Sequence, residues 1–422
     1  MAELGVLRYP HGMVRHAHRP VAGVARRSAP LLLSFALGLS AASCGSSTSA
    51  EQPIGPDAGD RTTADAQGDA HDAVTEDASD GATDVGEADD AGEANDAEDT
   101  ADTSAPEPGL ELEPGEAPFD LPAGAVFYPD VTYGPHGERS LLDVLVPDSE
   151  TPPPLVVFIH GGGFTSGSKE KLYENDATNA RAFLERGVAV AAINYRYVGA
   201  AEGVLGCMND SRYALQFLRY HQDAFGFDAS RVVLYGGSAG AGTSLWIGAG
   251  DEMADPDAED PVERMSTRVS AVSLAGTQAT YDLRRWETDV FVDFGITLEL
   301  AISVASQLVP TLQRFYGLDE LSAEETLAAL DEPDIVAYRA AADMLAMIDA
   351  SDPPIRISSG GPTALPTNQN TLFHHPYHGR EIREAALAAG VDVVVSLPGM
   401  EIVDEGFPTL VDFAVDALSA AP

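Results

Sequence analysis

From about Pro118 onward, short runs of apolar and β-branched residues alternate with stretches whose apolar positions recur every three or four residues. The runs predict strands over 141–146, 155–160, 188–194, 231–235, 269–274, 355–358 and 391–397. The second pattern predicts helices over 176–186, 210–224, 239–249, 379–389 and 408–418. Near-continuously apolar strands separated by amphipathic helices describe an α/β fold, a mostly parallel sheet with helices on both faces. Gly187, Gly226 and Gly390 stand where helices should stop. Residues 276–350 break the alternation with helical stretches at 297–314 and 323–330. They predict a helical lid inserted over the sheet's carboxyl edge, where open α/β sheets bind ligands. One folded domain, 118–422, follows.

The remainder reads differently. Residues 51–116 hold 22 Asp or Glu against the single basic residue Arg61, about half of the chain's formal net charge of −43. With almost no large apolar side chain before Leu110, residues 45–117 cannot bury enough surface to offset the entropy of ordering. They predict an extended, disordered acidic tether, and such charge repels nucleic acid and anionic lipid. Residues 1–44 carry Arg8, Arg15, Arg19, Arg26 and Arg27, then an apolar core from Leu31 to Ala42 that is too short to span a membrane. Ala41-Ala42-Ser43-Cys44 resembles the lipobox of bacterial lipoproteins, with Ala41 where Leu is usual. That resemblance implies cleavage before Cys44, its lipidation, and a chain anchored to the cell envelope, facing the periplasm or the cell surface. Plain secretion with cleavage nearby is the alternative. If Cys44 carries lipid, Cys207 has no disulfide partner and reads as a small buried hydrophobe.

Two glycine-rich segments carry the chemistry. Val232-Val233-Leu234-Tyr235 runs into Gly236-Gly237-Ser238-Ala239-Gly240, a G-x-S-x-G turn from strand to helix that exposes a serine hydroxyl. About 75 residues upstream, Leu155-Val156-Val157-Phe158-Ile159 ends in His160-Gly161-Gly162-Gly163-Phe164, a loop able to turn main-chain N–H groups toward an oxyanion. A glycine turn that merely packs helix on strand would not call for the second segment. With Asn194-Tyr195-Arg196-Tyr197, these motifs resemble the α/β-hydrolase family, specifically the hormone-sensitive-lipase-like and feruloyl-esterase-like carboxylesterases, over roughly 125–420. The resemblance implies that Ser238 is the nucleophile and that the amides of Gly162, Gly163 and Ala239 form the oxyanion hole.

A serine needs a base, and here the chain departs from the family. After 391–397 comes Pro398-Gly399-Met400-Glu401-Ile402-Val403-Asp404-Glu405-Gly406, without the expected Gly-His, and Ser359 to Phe373 contains no Asp or Glu. Three histidines instead cluster in Phe373-His374-His375-Pro376-Tyr377-His378. Of the others outside the leader, His71 lies in the tether, His136 in a turn and His221 on a helix, while His160 braces the glycine loop. The cluster leaves three readings open. The two loops have exchanged roles, with His375 or His378 as base oriented by Glu401, Asp404 or Glu405. The serine has no base, and the scaffold binds without catalysis. Or the histidines are structural, His375 capping a helix that starts at Pro376. His374 and His378, four apart, could share a helix face as metal ligands, but no third ligand is evident, so no metal or cofactor is expected. The leading expectation is a lipid-anchored serine carboxylesterase acting on a small or medium ester. A catalytically degenerate binding protein on the same scaffold is the rival.

Overall fold

In the computed structural model, the described residues are 109–199, 202–304, 308–318 and 321–420. The leader, Cys44 and the acidic stretch up to residue 108 lie outside them. The described residues form a nine-stranded sheet of order β1-β2-β4-β3-β5-β6-β7-β8-β9. The strands are β1 Val126–Thr132, β2 Leu141–Val146, β3 Pro154–Ile159, β4 Ala189–Ile193, β5 Asp228–Gly237, β6 Ala271–Ala275, β7 Ile355–Ser358, β8 Val393–Leu397 and β9 Ile402–Val403. From β4 through β8 neighbouring strands are parallel; β1, β2 and β9 pair antiparallel at the two margins.

Side-chain alternation along the central strands feeds two cores. Leu155, Val157 and Ile159 of β3 and Val232 and Leu234 of β5 pack with Leu215, Phe217 and Leu245 from the helices Gly203–Tyr220 and Ala239–Ala249. Val156, Phe158, Val233 and Tyr235 point the other way, onto Phe183, Leu184, Val411 and Leu418 from the helices Ala177–Glu185 and Leu410–Ala420. Both faces are covered, which is why these strands read as unbroken apolar runs.

Three elements differ from the sequence expectation. β1 contains Pro129, which cannot donate to a ladder and is tolerated because the strand is marginal in the sheet. Its register shifts between Tyr128 and Val131, where Asp130 takes a φ of 54°. The helix expected at 210 begins at Gly203. Asp210 is not its first turn but a buried anion within it, accepting hydrogen bonds from Arg196 Nη2 (2.6 Å), Nε (2.8 Å) and main-chain N (2.9 Å). The predicted 297–314 helix is two, Leu298–Val304 and Leu308–Tyr316. These and further short helices fill the connection between β6 and β7.

Candidate active site

At the end of β3 the chain enters the glycine loop, fixed from below by His160, which is fully buried. Arg139 Nη2 donates to its Nε2 across 3.1 Å, and because a guanidinium only donates, the ring proton sits on Nδ1 and goes to the Gly161 carbonyl at 2.7 Å. Burial pushes this imidazole down to about 4, so it stays neutral, stacked 4.1 Å from Tyr195, whose hydroxyl donates to the His160 carbonyl. Gly162 takes a φ of 121°, and a Cβ there would lie 2.0 Å from the Ser166 carbonyl oxygen, so only glycine closes this turn. Phe164 is buried against Tyr281 and Phe315, which pins the loop's far end.

β5 delivers Ser238 at φ 54° and ψ −120°, a backbone conformation an L-residue enters at a cost of roughly 1–3 kcal/mol. Its main-chain N–H donates to the Ala275 carbonyl at 2.9 Å. A Cβ on Gly240 would approach the Ile159 carbonyl oxygen to 1.9 Å, so the helix after the elbow can lie against β3 only with glycine there. Ala239 opens that helix, Ala239–Ala249, and its amide has no carbonyl one turn back.

Ser238 Oγ donates to His374 Nε2 at 2.8 Å. On the other side of the ring, Nδ1 donates to two oxygens of Asn370, the main-chain carbonyl at 3.1 Å and Oδ1 at 3.0 Å. A carbonyl can only accept, so the proton is held on Nδ1 and the Nε2 lone pair faces the serine hydroxyl. Asn370 lies in a short turn of helix, Gln369–Phe373, started by an Asn368–Thr371 capping box, and His374 is the residue that caps its C-terminal end. Gln278 Nε2 donates to the Phe373 carbonyl at 2.8 Å, and the Phe373 ring packs edge-on against Trp286. The imidazole is thus placed from the loop after β7.

The base candidates named from sequence need correcting. His375 is buried; its Nδ1 accepts from Tyr377 N and its Nε2 donates to the Ala364 carbonyl, capping the helix Pro376–Ala389. His378 is fully buried between Trp286 and Phe291, with Nδ1 accepting from Ala279 N and Nε2 donating to the Leu372 carbonyl. That environment pushes it down to about 3. With both nitrogens committed, neither ring can take a proton from Ser238. Glu401 is exposed at the end of a 3-10 turn, and Asp404 accepts from Val395 N at 2.8 Å. Among the described residues, neither carboxylate bonds to a histidine of the cluster. Asn370 does not stand out in the sequence because an amide is not the acid such a site usually carries; an oxygen-bearing side chain four residues before a histidine is the available signal.

Ser238, His374 and Gly162 line two hollows that meet at the hydroxyl. One, of about 770 Å³, runs over the strand ends past Phe158, Asn175, Ser359 and Pro398. The other, of about 900 Å³, lies beneath the helix Leu308–Tyr316, bounded by Val198, Phe315 and Phe373. Among the described residues no three His, Cys, Asp or Glu converge as a metal site.

Residues 142–289 match the family model BD-FAE, an α/β-hydrolase esterase family. Strand order, serine elbow and this match agree. The chain has the α/β-hydrolase fold. The matched part includes His160, the glycine loop and Ser238, and excludes Asn370 and His374. The chain is similar to the neuroligin-like protein glit-1 of Caenorhabditis elegans, 29% identical over 151 residues, covering 33% of this chain and 18% of that one. It is similar to acetylcholinesterase of Gallus gallus, 40% identical over 104 residues, covering 22% and 13%. The chain therefore spans less than a fifth of the length of either relative. A solved structure of a truncated carbohydrate esterase from gut microbiota overlaps 72% of this chain and 99% of its own, with 17% identity and a TM-score of 0.48.

Proposed function

We propose that this α/β-hydrolase cleaves small or medium carboxylic esters through an acyl-enzyme on Ser238. The observation that carries the reading is the 2.8 Å hydrogen bond from the Ser238 hydroxyl to His374 Nε2. Ser238 Oγ adds to the ester carbonyl carbon while its proton passes to Nε2. The carbonyl oxygen, now negative, is held by the amides of Gly162, Gly163 and Ala239, each such donor contributing about 3–4 kcal/mol at the transition state. His374 then hands its proton to the departing alkoxide, leaving the acyl group on Ser238. A water loses a proton to Nε2, attacks the acyl carbon, and the acid leaves with Ser238 restored.

The test is fluorophosphonate labelling with p-nitrophenyl acetate turnover, comparing wild type, Ser238→Ala and His374→Ala. Folded wild-type protein that neither labels nor turns over would overturn the reading. One feature favours the rival: Asn370 gives the imidazole no negative charge, as a scaffold retained for binding would tolerate. A labelling signal that vanishes in Ser238→Ala separates the two.

The charge and hydropathy of residues 1–116 support a lipid-anchored enzyme of the cell envelope, Cys44 carrying lipid and the acidic tract acting as spacer. Cys44→Ser should release the protein from membranes; a variant still wholly sedimenting with them would contradict the anchor.

A further inference from the structure

Building on the ester-hydrolase reading, we infer that the hollow under the helix Leu308–Tyr316 selects esters bearing a carboxylate, with Arg314 as the counter-charge. Arg314 lines this hollow together with Ser238, His374 and the oxyanion amides. No Asp or Glu lines it, in a chain with 67 acidic and 24 basic residues. The other arginines between β6 and β7 are ion-paired. Arg284 meets Glu287 at 3.0 Å, Glu299 at 3.3 Å and Asp331 at 3.1 Å. Arg285 bridges Asp289 and Asp343, and Arg339 binds Asp282 at 2.8 Å. Arg314 is exposed and has no ion pair among the described residues.

An excess of negative charge repels an anionic substrate at long range, so taking one in requires a local cation beside the reacting atoms. A guanidinium meets that need with a planar fork of donors that matches a carboxylate. Asn368 and Gln369 add polar edges to the lining, and Gln369 Nε2 donates at 3.1 Å to Thr311 Oγ1, one turn before Arg314 on the same helix. Val198, Pro310, Phe315 and Phe373 supply the apolar remainder. The hollow therefore fits an ester with a short apolar body and a terminal anion. That anion can stand on the acyl or on the alcohol side.

Two matched pairs test this. Mono-4-nitrophenyl adipate against 4-nitrophenyl hexanoate places the charge on the acyl side; 4-acetoxybenzoate against phenyl acetate places it on the alcohol side. For at least one pair, the anionic-to-neutral ratio of kcat/KM should fall about five- to tenfold in Arg314→Ala. It should fall further in Arg314→Glu and recover in part in Arg314→Lys, and the wild-type ratio should shrink with added salt. Wild-type turnover of the neutral esters with both ratios unchanged in Arg314→Ala and Arg314→Glu overturns the inference alone. No wild-type turnover of any of the four esters overturns the hydrolase reading and this inference with it.

Discussion

His374 presents its Nδ1 proton to Asn370 twice, to the side-chain oxygen at 3.0 Å and to the main-chain carbonyl at 3.1 Å. The carbonyl alone is enough to fix the tautomer, so the side chain's contribution is separable from it. A carboxylate in place of the amide would stabilise the imidazolium that forms as Ser238 gives up its proton. Asn370→Asp should therefore raise kcat/KM about tenfold. Asn370→Ala should lose no more than about tenfold, because the carbonyl remains. A fall in kcat/KM for Asn370→Asp, with the fold intact, would show that the amide's N–H groups matter instead.

The adjacent histidines His374 and His375 should separate cleanly on mutation. His374→Ala removes the base and should lower kcat on the order of 10³-fold. His375→Ala loses a helix cap and should cost about 0.5–2 kcal/mol of stability, with His375→Asn restoring most of it. Denaturant midpoints measured beside kcat will tell these apart. Equal loss of kcat in the two alanine variants would place the chemistry elsewhere.

Strain at Ser238 has its own signature. Alanine removes the hydroxyl but keeps the unfavourable φ of 54°, whereas glycine accepts that conformation freely. Ser238→Gly should be more stable than Ser238→Ala by about 1 kcal/mol, both being inactive. Thermal midpoints in the reverse order would mean that the elbow is relaxed.

Acid should weaken the fold through His378 and His160, held down to about 3 and about 4 by burial. Between the ordinary histidine range near 6.5 and those values, the unfolded chain binds protons that the folded one refuses. Stability is therefore full above that range and declines as pH drops through it, by about 1.4 kcal/mol per pH unit for each histidine. In His378→Phe the slope of stability against pH over roughly pH 4–6 should be shallower by one proton. An unchanged slope would mean that His378 is already charged in the folded protein.

Much of the architecture was readable because period and burial agree. The strands over 141–146 and 355–358 and the helix over 239–249 occur at those residues, bounded by a turn, a charge or a glycine. β1 was not, since Pro129 and the local bulge hide its alternation, and β9 is only two residues long. The Ser238 turn and the glycine loop were legible because their backbone conformations demand glycines in fixed places. The choice among histidines was not, because it turned on which imidazoles were committed to other partners. Pro376 did mark His375 as a cap, but the burial of His378 depends on Trp286 and Phe291, some ninety residues away in the chain.

Housing the proton acceptor and its orienting partner four residues apart on a single turn makes the pair a self-contained cassette. The stretch from Glu401 to Gly406 is then left to hold the sheet's last edge, through Ile402–Val403 against β8 and Asp404 on the Val395 amide, while Pro398 keeps its place in the wall of the hollow.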